Sequence, residues 1–320
     1  MYIVKLTFNY DWPLFRQTPG NSGIWGNYRF VIDQELIECD YWIIYTEHGL
    51  TQEKCRCNPD NIVFLPAEGF QTSEKYPLNF LKQFAQILTV QREIKGENIL
   101  YGQSANPWFI ERNYDQLIEL ELPKKTKTIS VISSNKMLTE GHRKRFKFVQ
   151  DLKHHFGDRI DVFGRGINDF ELKWNVTSPY KYQIAIENDN CEDWVTEKFF
   201  DPILTYTYPI YYGCPNLEDY MDSRAFTRID INNFEEAVEI IERLLKDDLV
   251  YDEFIANCST YRDIYLNQLQ LFPLLSSILA NMTGDVKFKR KQTIYGLDAF
   301  KQNKQLYLLK RFVKRMLGRK

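Results

Sequence analysis

The sequence predicts an α/β chain built on parallel sheets, and three observations carry that reading. Short apolar runs recur along the second half: ISVISS, RIDVF, YKYQIAI and YPIYY. Segments with helical periodicity lie between them, among them GHRKRFKFVQDLKHHF and FEEAVEIIERLLKDD. A Lys/Thr-rich connector, ELPKKTKT, divides this half from an earlier one that has strands of its own. Buried strands alternating with helices imply sheets covered on both faces. Two such sections imply two Rossmann-like domains facing a cleft, with ligands bound beyond the carboxyl ends of the strands.

In chain order, the first strands are YIVKLTF, DYWIIYT, NIVFL and FAQILTV, joined by short, irregular segments. After the connector come the strand ISVISS, the helix GHRKRFKFVQDLKHHF and the strand-and-turn RIDVFGRG. YKYQIAIEN, the helix TEKFFDPILTY, the strand YPIYYGCP and the helix FEEAVEIIERLLKDD follow, with helical segments to about residue 282. The expected units are 1–125, 126–285 and a tail, 286–320.

At 320 residues, 44% hydrophobic and 15% aromatic, the chain is able to bury two sizeable cores. Its start has neither a basic segment before an apolar stretch nor a small-residue cleavage site, so no signal peptide is expected. No apolar window reaches the length of a membrane span. Six cysteines are scattered, and the close pair Cys55 and Cys57 is a weak zinc signal without a second pair. Reduced thiols and a cytoplasmic location follow, and the three sequons at Asn175, Asn257 and Asn281 then carry no weight.

The net charge of −2 conceals an asymmetry. Residues 301–320 hold eight Lys/Arg and no acid, so the tail is +8 and the rest is −10. Such a chain is not a natural nucleic-acid partner. Leu306, Leu309, Val313 and Met316 recur at helical spacing with bases opposite, which reads as an amphipathic helix for an anionic membrane surface. Packing on the protein's own acidic body is the competing reading.

The segment ENDNCEDWVTEK, 187–198, connects a buried strand to a helix through a strongly polar loop. Thr196 suits a helix N-cap. The unpaired amides and positive end of that helix suit an anion such as a diphosphate, and Lys198 adds a full charge. Glu197 and Asn188 suit sugar hydroxyls. Thr-Glu-Lys at a helix start is equally ordinary capping chemistry.

YKYQIAIENDNCEDWVTEKFFDPILTYTYPIYYGCPNLEDY resembles the signature of the glycosyltransferase family 10 α1,3/α1,4-fucosyltransferases. That pattern is Tyr-Lys-Phe, an apolar strand, Glu-Asn, a loop, Tyr-[Ile/Val]-Thr-Glu-Lys, a helix, then Pro-[Ile/Val]-x-x-Gly. The resemblance extends upstream through SSNKMLTEGHRKRF and VFGRG, covering roughly 127–285, and is loose over the first 125 residues apart from FLPAEGF.

The resemblance implies a GT-B fold. It implies that the C-terminal domain holds GDP-β-L-fucose and the N-terminal domain positions a glycan acceptor. It also implies inverting transfer with no required cofactor or metal. Asn188, Glu197 and Lys198 fall on its donor-binding positions, with Trp194 where Tyr is usual. The indole keeps a stacking face but cannot accept a hydrogen bond. A helix arginine is expected at the diphosphate; Arg143 fits the spacing to Phe146, and Arg145 is the fallback. The acidic loop is odd beside a dianion, so part of it is expected to face solvent.

Transfer through an oxocarbenium-like transition state needs cations for the departing GDP and a base for the acceptor hydroxyl. Glu68, in the loop after NIVFL, is the candidate catalytic base, and Glu47, beside His48, and Glu187 are its rivals. Trp12, Trp25 and Trp108 occupy loops of the first unit; Trp12, just after the first strand, is the candidate acceptor-stacking residue, with a core role for it equally open. The expected acceptor is a GlcNAc-containing oligosaccharide or lipid-linked glycan of a bacterial surface polysaccharide such as lipopolysaccharide, met at the inner face of the membrane. Two alternatives stand: the same fold using another nucleotide sugar, and a non-catalytic glycan-binding relative.

Overall fold

The computed structural model describes residues 1–67, 76–135, 137 and 139–300. Glu68 and the basic stretch 301–320 lie outside the described residues.

The first sheet has the order β2-β3-β1-β4-β6-β7-β8. Its strands are β1 (Tyr2–Thr7), β2 (Ile24–Trp25), β3 (Tyr28–Val31), β4 (Tyr41–Tyr45), β6 (Ile62–Leu65), β7 (Gln86–Thr89) and β8 (Ile99–Tyr101). All neighbours are parallel except the β2–β3 pair. The period-2 geometry of a strand sends successive side chains to opposite faces. In β4, Ile43 and Tyr45 accordingly enter one core with Val4 and Leu6, while Trp42 and Ile44 enter another with Ile62 and Phe64. Of two short helices, α1 (Leu78–Leu81) packs Phe80 and Leu81 into this half, whereas α2 (Tyr114–Ile118) buries Leu117 in the core of the second sheet.

The second sheet is wholly parallel, in the order β10-β9-β11-β12-β13. It comprises β9 (Lys127–Ile132), β10 (Asp161–Phe163), β11 (Tyr180–Ile186), β12 (Tyr208–Tyr212) and β13 (Thr227–Arg228). Its helices are α3 (Glu140–Phe156), α4 (Lys173–Thr177), α5 (Glu197–Leu204), α6 (Phe234–Leu244) and α7 (Leu249–Ile264). Their apolar faces share one core with the sheet, including Phe148, Leu152, Phe199, Ile210 and Phe254.

After α7 a π-helical turn, Tyr265–Leu269, redirects the chain, and Tyr265 stacks on Phe200 at 4.1 Å. Helix α8 (Leu271–Ala280) then buries Leu271, Phe272 and Leu275 against the first sheet, not the second. The expected units left this helix with the C-terminal one; its apolar face lies with the N-terminal core. Strand β14 (Arg290–Tyr295) continues there, pairing antiparallel with β5 (Gln52–Cys57). No helix among the described residues is long and apolar enough to cross a membrane.

Candidate active site

The carboxyl ends of β9 and β11 open on a cavity of about 280 Å³. Ser134, Arg145, Lys173, Asn188, Glu197 and Lys198 lie in its polar wall, together with His142 and Gln183. Three sequence-predicted donor residues, Asn188, Glu197 and Lys198, therefore meet in one place.

The start of α5 is built from its cap outward. Thr196 accepts the Lys198 amide at 3.3 Å. The cap is itself fixed by Glu187, which accepts the Thr196 amide at 2.8 Å and its hydroxyl at 2.9 and 2.8 Å. Glu187 is almost wholly buried, and that burial raises its carboxyl pKa above the ordinary range despite Lys198 nearby. With its oxygens engaged in this way, Glu187 is a structural anchor, which weakens it as a rival base.

Lys198 Nζ lies 3.1 Å from Glu197 Oε1 and 3.4 Å from Glu187 Oε2. Burial works to lower the lysine's pKa, but the two carboxyl groups outweigh it and push it up to about 12. Burial works to raise Glu197, and Lys198 and Lys173 outweigh it to hold that carboxyl below its usual range. Glu197 thus presents an acceptor carboxylate to the cavity beside a fixed cation.

The helix arginine at the cavity is Arg145, not Arg143. Arg143 is exposed and its guanidinium donates to the carbonyl of Met137 at 3.3 Å. Arg145 is 5% exposed, donates to Asn188 Oδ1 and reaches Ser134 Oγ at 3.4 Å. Its Nε has no partner among the described residues. The signal was in the sequence: Arg145 falls on the buried stripe of α3 with Phe148, Val149, Leu152 and Phe156.

Trp194 is buried in the loop before α5, but it does not line the cavity. The loop turns through Asp193 at φ 64°, a conformation a non-glycine residue rarely adopts. Asp193 takes hydrogen bonds from Asn216 at 2.9 Å and Tyr220 at 2.6 Å, and it pairs with Arg92 of the first half. Glu192 pairs with the same arginine at 3.1 Å and is exposed, whereas Asp189 and Asp193 are buried. The acidity of this loop thus serves a contact between the two halves, and only part of it faces solvent.

A second cavity, of about 310 Å³, opens at the carboxyl ends of β1, β4 and β6. Phe8, Tyr10, Trp12, Tyr45 and Phe109 give it aromatic walls, with Asp11, Thr46 and Asn106 as polar points and Ala67 on its rim. Trp12 meets Phe109 edge-on at 4.8 Å and carries Arg16 over its ring at 4.4 Å. Its indole Nε1 has no partner among the described residues. Trp108 is instead core, fully buried with its indole donating to Arg112 O at 2.9 Å, and Trp25 packs edge-on against Tyr114. Glu47 accepts from the Tyr76 hydroxyl at 3.0 Å.

One carboxylate touches the walls of both cavities. Asp201, fully buried in α5, pairs with Lys173 at 2.7 Å and accepts the Phe109 amide at 3.2 and 3.1 Å. Sequence reasoning passed over both Lys173 and Asp201. The available signal was a lone acid in the otherwise apolar run FFDPIL, a pattern that requires a buried partner.

The family description "Glycosyltransferase family 10 (fucosyltransferase) C-term" matches residues 122–271. Over that segment the chain is similar to family 10 glycosyltransferase domains. The segment ends where α8 leaves for the first sheet, so it coincides with the half that carries the cationic cavity.

Two crystal structures of α1,3-fucosyltransferase, one with GDP and one with GDP-fucose, superpose with a TM-score of 0.51 each. Each alignment covers 88% of this chain and 91% of the other, at 15% and 16% identity. The likeness shows the fold, the two-domain GT-B arrangement expected from the sequence. Among curated relatives, "GDP-fucose protein O-fucosyltransferase 3" of Xenopus laevis is 30% identical over 128 residues, 35% of this chain and 27% of that protein. The human protein of the same name is 32% identical over 127 residues, 35% and 26%. "Alpha-(1,3)-fucosyltransferase B" of Drosophila melanogaster is 39% identical over 69 residues, 22% and 15%. These matches span about a quarter or less of the relatives' own length.

Proposed function

We propose that the chain transfers L-fucose from GDP-β-L-fucose to a hydroxyl of a GlcNAc-containing glycan, in α1,3 or α1,4 linkage and with inversion. The observation that carries this reading is the pairing of a cationic cavity at one sheet with an aromatic cavity at the other, joined through Asp201. Arg145, Lys198 and the α5 N-terminus suit the diphosphate, and Glu197 and Asn188 suit the sugar or ribose hydroxyls. Trp12 offers an aromatic face to an acceptor ring.

In the proposed reaction the acceptor oxygen attacks fucose C1 while the C1–O bond to the diphosphate breaks. GDP departs with the bonding electrons, and preorganised cations stabilise its growing charge. The acceptor proton goes to a carboxylate within hydrogen-bond reach, assigned to Glu68 from the sequence. Ala67, the residue before it, lines the aromatic cavity. Glu68→Ala is expected to leave GDP titration unchanged and to lower kcat at least about a hundredfold. Normal turnover by that variant removes Glu68 as the base.

The name of the Xenopus and human relatives favours one second reading, in which the acceptor hydroxyl belongs to a protein side chain. An array decides between them. GDP-fucose, GDP-mannose and UDP-sugars are offered with N-acetyllactosamine and with folded protein acceptors, and products are read by mass spectrometry. Fucosyl-lactosamine with an α-anomeric NMR signal supports the first reading, fucosylated protein alone supports the second, and transfer only from other donors defeats both.

A further inference from the structure

We propose that Lys173 is a third cation for the donor diphosphate, beside Arg145 and Lys198, with Asp201 as its positioning residue. This deepens the donor reading above and rests on it.

Lys173 opens α4, and Glu111 holds the start of that helix by accepting the Lys173 and Trp174 amides at 3.0 Å each. The side chain lies in the cavity wall, 13% exposed, with Nζ 2.7 Å from Asp201 Oδ2. An ammonium has three N–H donors. Among the described residues Asp201 is the one acceptor found for it, which leaves two donors for a ligand. Asp201 cannot follow the lysine, because the Phe109 amide holds its oxygens from the other side. The ammonium is therefore fixed, as preorganised charge stabilisation requires.

The charges of the site support this role. Arg145, Lys173 and Lys198 lie among Glu187, Glu197 and Asp201, so each cation has a carboxyl group nearby when no nucleotide is bound. A diphosphate needs donors that these internal partners do not use up. The unpartnered Nε of Arg145 is one and the remaining N–H groups of Lys173 are others. Lys198, shared between two carboxyl groups, has less to offer.

Calorimetric titration of the full chain with GDP and with guanosine tests the assignment. Lys173→Met is expected to weaken GDP about tenfold or more, the loss of one hydrogen bond to a charged group, and to leave guanosine affinity unchanged. Lys173→Arg, which keeps the charge, is expected to recover part of the loss. Equal GDP affinity in wild type and Lys173→Met, or an equal loss for guanosine, overturns the proposal while leaving the donor reading intact. A wild-type chain that fails to bind GDP defeats the donor reading and this proposal together. Should Lys173→Met not fold, acylation of wild-type lysines by an N-hydroxysuccinimide ester gives a second measurement. GDP, but not guanosine, is expected to shield Lys173, and equal labelling under both overturns the assignment.

Discussion

A displacement of two positions along a helix separates a cavity residue from a surface one. Arg143 and Arg145 differ by about 200° around the α3 axis. One therefore faces solvent while the other shares the buried stripe with Phe148 and Leu152. Motif spacing pointed to Arg143 because it counts residues from Phe146, whereas burial follows the periodicity of the whole helix. Burying a guanidinium costs free energy unless it is hydrogen-bonded, so Arg145 is held by Asn188 and Ser134. Arg145→Ala is accordingly expected to weaken GDP by at least about tenfold. Arg143→Ala is expected to stay within about twofold, as surface substitutions usually do. The titration that separates the two variants also tests the cavity as the donor site, since equal losses would place the nucleotide elsewhere.

Elements whose apolar runs are buried on both sides were the legible ones. ISVISS, YKYQIAI and YPIYY became β9, β11 and β12, the central strands of the second sheet, because short, β-branched and aromatic apolar runs suit strands covered on both faces. QEKCRC was not legible as β5: its alternation is of polar residues and cysteines, and its partner β14 lies far along the chain. Helix α8 was legible as a helix but not as part of the first layer, since an apolar face does not specify which sheet it covers. The Pro-x-x-x-Gly ending of β12 has a steric cause. A Cβ on Gly213 would lie 2.4 Å from both Glu187 Cγ and Tyr211 Oη, atoms fixed by the Thr196 cap and by the Cys214 amide. Gly213→Ala must displace the anchor of α5, and overpacking of this kind costs about 1–3 kcal/mol. Urea unfolding is expected to show that loss, together with weaker GDP binding. A variant as stable as wild type that binds GDP normally would separate the anchor from the site.

Across the whole molecule the two halves share apolar packing, with Trp108, Ile110 and Leu117 entering the core of the second sheet, and polar ties run beside it. Arg92 reaches Asp193, Asp201 reaches the Phe109 amide, and Gln103 reaches the carbonyl of Leu269. The connector that reads as a Lys/Thr-rich linker is anchored within the second half. Lys125 Nζ donates to Ser178 O at 2.8 Å, Thr205 O at 2.7 Å and Thr207 Oγ1 at 2.9 Å, fixing the start of the second half beneath β12. No carboxylate pairs with it among the described residues, and burial pushes its pKa down to about 7 from an ordinary 10.5. The sign of the linkage follows from that direction. Between about pH 7 and 10.5 the unfolded chain holds a proton on this lysine that the folded chain has lost, so stability rises with pH across the window. Below pH 7 both states are protonated and the contribution levels off at its lowest value. Urea midpoints measured from pH 6.5 to 9.5 are expected to climb for the wild type, relative to Lys125→Met, as this lysine titrates. Parallel curves for the two proteins would show that Lys125 keeps its charge in the fold and that the connector is held by hydrogen bonds to an ammonium ion.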